Sequence, residues 1–409
     1  MSDRKHIAII GGGAAGFFAA IQSKVCHPAD TVTIFEKSGR VLAKVSVSGG
    51  GRCNLTNSFL GINDLKSVYP RGDKLMKRLF NSFDNNDAWQ WFEQHGVELT
   101  TQDDQCVFPR SQSSQTVIDC LTRTAAKAGV TVCLRHQLVK VAPRPDGRLE
   151  VDFKDRPSRT FDKVVLTTGG SPRMAGLAYL QETGHRIEPP VPSLFTFNIA
   201  DKNFRDLMGA VVEPVVVGIP GTKFRANGPL LITHWGMSGP ATLKLSSVAA
   251  RYISDHDYHF EVAINWLGET NAQLAEEQIR QIARQNPKKL TANVHPGELT
   301  ARVWHYLLER TGIDKEKTWD EMGKKVLNKL IETLTNDVHH VSGKGVFRDE
   351  FVTCGGVSLK SVNPNTLESK VCPGLFFAGE LLDVDAITGG FNLQAAWTTG
   401  FVAGRSCRT

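Results

Sequence analysis

Gly11, Gly13 and Gly16 stand at GxGxxG spacing in "HIAIIGGGAAGFFAAIQSK", between an apolar strand-like run and a helical one. The order has a chemical meaning. The first glycine permits a tight turn, the second lets a pyrophosphate approach the main chain, and the third lets helix pack on strand. The amides that open the helix, at Ala14 and Ala15, then meet the phosphates with the positive end of the helix dipole. A second apolar run, "TVTIFEK", ends at Glu36, twenty residues beyond Gly16, with Lys37 next to it. A carboxylate there accepts hydrogen bonds from both ribose hydroxyls of an adenosine and repels a 2′-phosphate. The unit predicts a bound dinucleotide.

A long basic, glycine-rich excursion follows, "KSGRVLAKVSVSGGGRCNLTN", where a plain NAD domain would begin its next helix. Arg40, Lys44 and Arg52 offer charge to a pyrophosphate, and Gly49 to Gly51 let a large ligand lie flat on the backbone. FAD suits such a loop better than NAD, and Gly51, Arg52, Cys53 and Asn54 are expected to touch it. Arg52 anchors either an anionic substrate, the flavin edge or the pyrophosphate. Cys53 is a redox thiol or a small buried side chain, and the lack of a second cysteine nearby in sequence favours the latter.

Far along the chain, "GLFFAGE" is a short strand ending in Gly379 and Glu380, and "GGFNLQAAWTTGFVAG" is a glycine turn opening an apolar helix. Glu380 is placed to hold a ribitol chain. The amides of Gly390, Phe391, Asn392 and Leu393 would face the flavin N1/C2=O edge, where the reduced ring is anionic. Arg52, His234 and Asn392 are the candidates for catalysis. His234, in "THWGMSGP", serves either as proton donor when hydride reaches a conjugated carbon or as a structural histidine holding its turn. Asp383 and Asp385 are alternative acids, read as solvated loop carboxylates.

The bulk composition frames these motifs. The chain has 409 residues, 41% apolar and 22% charged, which fits a globular protein of two or three domains. Its net charge of +6 is scattered, so no nucleic-acid partner is expected. Eight cysteines without a CxxC pair argue against a zinc site, and the other histidines lack partners at ligand spacing, so no metal is expected. The reading is cytoplasmic. The basic, apolar start imitates a secretion signal, but glycines interrupt it, and no run reaches membrane-span length.

The stretches "IIGGGAAGFFAA", "SGGGRCNLTN" and "LFFAGELLDVDAITGGFNLQAAW" resemble the BaiN/RdsA-type (YhiN-like) NAD(P)/FAD-dependent oxidoreductases. "THWGMSGPATLKLS" and "VTCGGV" resemble that family's HxGxSGP and VTxGGV segments. The resemblance implies an α/β fold: a split Rossmann-type FAD-binding domain with an inserted β-rich domain that carries a small helical subdomain. It also implies FAD as cofactor, NAD(P)H as a transient electron donor, and a small-molecule substrate. Leu138 would lie beside the adenine, and Thr168 and Gly169 would close the cofactor's other side. The favoured activity passes hydride from NAD(P)H through flavin to a conjugated C=C/C=O substrate. The alternatives are an oxidase of a small amine or hydroxy compound using O2, and a non-enzymatic flavin sensor or RNA-binding flavoprotein.

The elements that must position these residues follow from pattern. Residues 1–190 and 343–409 are expected to hold the cofactor, with the insert at 191–342. Residues 73–129 read as helical, and "EPPVPS" as a stiff connector. Residues 191–269 read as β-rich and 270–336 as a three-helix subdomain, with Met322, Val326, Leu330 and Leu334 on one face. "TTGGSPRMAG" is too irregular to open a second dinucleotide motif, so no separate nicotinamide domain is expected.

Overall fold

The computed structural model describes residues 4–345 and 352–407. The expected cofactor ranges also take in residues 1–3, 346–351 and 408–409, which lie outside the described residues. The chain divides into two units, Met1–Pro192 with Asp349–Thr409, and Ser193–Arg348.

The first unit is built on a five-stranded parallel sheet. Its order is Leu375–Phe377, Lys163–Leu166, His6–Ile10, Thr31–Phe35 and Thr131–Cys133. Ile7 to Ile10 are all buried, as the near-continuous apolar runs of a parallel sheet covered on both faces require. The helix Ala14–Cys26 follows the first strand, and the helix Phe391–Ser406 closes the chain. The two cross at very short range. A Cβ on Gly400 would lie 2.5 Å from Ala15 O, and one on Gly404 would overlap Ala19 O. The GxxxG of one helix therefore seats on the AxxxA of the other, backbone against backbone.

Several expectations need correction. "EPPVPS" is no connector: Ile187–Ser193 is a strand paired with Val352–Val357 in a two-stranded sheet. The 73–129 region does hold helices Asp73–Leu79, Asn85–Gln94 and Ser114–Lys127. Between them run Leu99–Thr101 and Cys106–Pro109, which join Thr56–Asn57 in an antiparallel sheet. These strands are too short for a two-residue period to show in the sequence. The strand-like stretch "VTVCLRHQLVKVAP", 130–143, is divided between two sheets. Thr131–Cys133 joins the parallel sheet, whereas Leu138–Pro143 pairs with Leu149–Phe153 elsewhere.

The second unit is a closed barrel of Phe197–Ile199, Gly236–Ser238, Arg225–Thr233, Val211–Gly218, His259–Asn265 and Asp337–Lys344. Its sixth strand returns after the helices Ala272–Gln285, Ala301–Thr311 and Lys324–Thr335. Closure leaves no free edge. In the last helix Leu327, Leu330 and Leu334 are buried, but Met322 precedes the helix and lies outside the periodic face.

The helix crossing can be tested directly. Gly404→Ala inserts a methyl into backbone and should cost about 1–3 kcal/mol, the usual range for overpacking. The expected result is a lowered thermal midpoint, with no change for Gly39→Ala, whose Cβ would meet nothing within 4 Å.

Candidate dinucleotide cradle

Gly11 adopts φ +116°, and a Cβ there would overlap Thr167 O. A Cβ on Gly16 would overlap Gly11 O. Both glycines are thus fixed by the protein's own packing. Gly13 is different. It caps the helix Ala14–Cys26 at φ −93°, and a Cβ on it would meet nothing within 4 Å. Neither strain nor crowding within the chain calls for glycine there. The space in front of it is open, and the first helix opens at that point with no side-chain cap on its amides.

Glu36 ends the second strand half-buried. Its Oε2 accepts from Gly12 N–H at 2.8 Å and its Oε1 from Ser38 N–H at 2.8 Å. Two backbone donors fix the carboxylate, and each oxygen keeps a lone pair for a ribose hydroxyl. Lys37 is exposed beside it. Thr168 is exposed and Gly169 half-buried just past the strand Lys163–Leu166, while Leu138 is half-buried in the separate antiparallel sheet. The residue that sequence reasoning missed is Thr167. Its buried hydroxyl lies 3.0 Å from Ile10 O and 2.8 Å from Gly11 O, tying the turn to the neighbouring strand. No motif marks it, because its partner strand is remote in sequence.

Lys44 Nζ lies 2.6 Å from Glu380 Oε2, and Glu380 Oε1 accepts from Thr353 N–H at 2.8 Å. Gly379 N–H donates to Thr399 Oγ1 at 2.8 Å, and a Cβ on Gly379 would lie 2.9 Å from Ala15 Cβ. The second acid is therefore drawn next to the first helix from the far end of the chain.

Gly49, Gly50 and Gly51 take φ of +57°, +68° and +83°, a left-handed run that side chains resist. Beyond it the chain turns onto the C-terminal helix. Leu55 O accepts from Trp397 Nε1 at 2.9 Å, Thr56 Oγ1 donates to Gln394 Oε1 at 2.6 Å, and Asn57 Nδ2 donates to Gly389 O at 3.0 Å. Asn54, its amide turned to suit its neighbours, accepts from Gly390 N–H at 3.3 Å. "NLTN" thus anchors the N-terminal end of the helix.

Arg52 is held by the protein. Its guanidinium sits 4.3 Å above the Phe108 ring, with Nη1 3.3 Å from Gln112 Oε1. Asn392 turns back on its own loop, accepting from Ala386 N–H at 2.9 Å and donating to Ala386 O at 3.0 Å. Phe391 is buried, Leu393 half-buried. In the second unit His234 is exposed at the tip of the hairpin Arg225–Thr233 to Gly236–Ser238, edge-on to Trp235. Asp385 is not a solvated carboxylate. It is fully buried, and Arg71 grips it through Nε at 2.6 Å and through Nη2. Burial works against the Arg71 charge, but the hydrogen bonds and charge of Asp385 outweigh it and raise the pKa above its ordinary value. Cys53 is fully buried, and burial pushes its thiol up from 9.0 to about 12.

The matching family model is the HI0933-like protein Rossmann domain, over residues 5–406. The chain belongs to that family. It is an oxidoreductase of the FAD-dependent class. It is 27% identical over 411 residues to the 3-dehydro-bile acid delta(4,6)-reductase of Clostridium scindens, covering 98% of each chain. It is 29% identical over 416 residues to the ribosomal RNA dihydrouridine synthase of Escherichia coli K12, covering 98% of this chain and 97% of the relative. The 3-ketosteroid-delta4-(5alpha)-dehydrogenase of Rhodococcus jostii RHA1 shares the fold at TM-score 0.51 and 14% identity, covering 100% of this chain and 98% of that one. No helix among the described residues is long and apolar enough to cross a membrane.

Two outcomes test this geometry. Cys53 should resist alkylation in the folded protein at pH 8 and react once unfolded, read by mass spectrometry. Because its folded pKa lies above the unfolded value, the stability it contributes is complete below pH 9.0 and is lost as pH rises toward about 12. Secondly, Gly13→Asp puts a carboxylate into open space where a phosphate is expected. It should fold like the parent and bind FAD at least tenfold more weakly.

Proposed function

We propose that the chain binds FAD along this cradle and, with NAD(P)H as donor, reduces a carbon–carbon double bond conjugated to a carbonyl. The observation that carries the cofactor reading is Gly13, uncrowded and unstrained at an uncapped helix start. Chemistry common to the relatives supports the reaction. The name of the bile-acid enzyme describes a ketone conjugated with two double bonds, and dihydrouridine is uridine whose C5=C6 bond, conjugated to C4=O, has been saturated. Both reactions add hydrogen across an enone-like bond.

FAD, when bound, supplies the hydride. The chain's own residues hold and tune. Glu36 takes the ribose hydroxyls, the amides of Ala14 and Ala15 and the charge of Lys44 meet the pyrophosphate, and Glu380 meets the ribitol. The amides from Gly390 to Leu393 stabilise negative charge at the ring edge. Arg52, stacked on Phe108, fits the rim of the glycine loop better than a reacting centre. A uridine in ribosomal RNA is the second reading of the substrate, favoured by two relatives of that name at 29% and 27% identity.

Anaerobic mixing with NADH or NADPH should bleach the visible band of the bound flavin. Reoxidation by a 3-oxo steroid with conjugated double bonds, or by unmodified ribosomal RNA, then identifies the substrate through its gain of two hydrogens. Bleaching by an amine alone would overturn the proposal.

A further inference from the structure

The buried pair Arg71–Asp385 lies on no motif, yet it stands where the loop before the C-terminal helix meets the segment 68–72. Two backbone links and one close side-chain approach join the same two segments. Ile387 N–H donates to Val68 O at 2.9 Å, Arg71 and Asp385 form an antiparallel bridge, and a Cβ on Gly72 would press on Val384 Cγ2 at 2.6 Å. Tyr69, fully buried, donates its hydroxyl to Phe391 O at 2.9 Å, within the first turn of the helix. Asn392 and Asn57 hold Ala386 and Gly389 from the other side. Asp385 is 0% exposed, and the Arg71 fork meets both of its oxygens, which offsets the cost of burying its charge.

Gly400 touches Ala15 beside the first helix's opening turn, and ten residues of helix separate Gly400 from Gly390. At 1.5 Å per residue the start of the C-terminal helix lies about 15 Å from the crossing. The loop that Arg71 clamps therefore decides where that helix start stands.

We propose that Arg71 and Asp385 are a positioning pair, fixing the 384–390 loop so that the first amides of the C-terminal helix stay directed at the flavin's pyrimidine edge. The proposal rests on the flavin reading above. Its test uses the full-length protein and FAD. Arg71→Lys keeps the charge but not the planar fork, and Arg71→Met with Asp385→Asn removes both charges together, leaving neither unpaired. Affinity for FAD and the midpoint potential of the bound flavin are measured beside the thermal midpoint. A tenfold loss of preference for the reduced flavin, a fall of about 30 mV for a two-electron couple, is expected in both variants, with FAD binding weakened several-fold. A purely structural pair would lower the thermal midpoint and leave the potential where it was. Parental potentials in both variants overturn the proposal, whatever their melting behaviour. A parent protein that takes up no FAD overturns instead the flavin reading on which it rests.

Discussion

The close crossing of the first and last helices is the constraint from which the cradle follows. Gly400 and Gly404 let the C-terminal helix lie on Ala15 and Ala19 with no side chain between the backbones. That contact brings residues from opposite ends of the chain to one place. Glu380 reaches Lys44, Gly379 packs on Ala15, and the loop 54–57 finds Leu55, Thr56 and Asn57 partners on and beside the helix. A bulkier crossing would separate these groups by at least a side chain's width, and hydrogen bonds of 2.6 to 3.0 Å would not survive it.

Polar groups buried around this crossing are matched one to one. Gln394 is fully buried, yet its oxygen takes the Thr56 hydroxyl and its amide gives to Thr398, which in turn gives to Phe83 O. Such a chain specifies one register between loop and helix, because a shift by one residue would leave several buried donors unpaired. The shape of the cradle is thereby set by hydrogen bonds made away from any ligand.

Local sequence carried the parts of this structure whose cause is local. The GxGxxG turn, the acid at Glu36 and the second acid at Glu380 are marked by residue type and spacing within short stretches, even though Thr167, Gly12 and Lys44 hold them from elsewhere in the chain. The charge of Arg52 and the polarity of Asn392 invite a catalytic reading, and sequence alone does not show what else they touch. Only the fold shows that Phe108 and Ala386 already claim them. Arg71 and Thr167 were passed over for the opposite reason: their partners, Asp385 and the first strand, are remote in sequence. Barrel closure was equally hidden, since its last strand is set apart by three helices.

The strands Ile187–Ser193 and Val352–Val357 run side by side at the two points where the first unit yields to the second. Their pairing forms a seam between the last strand before the second unit and the first described strand after it. A cassette joined through such a seam is free to lengthen, shorten or be exchanged over evolutionary time without unsettling the nucleotide-binding half.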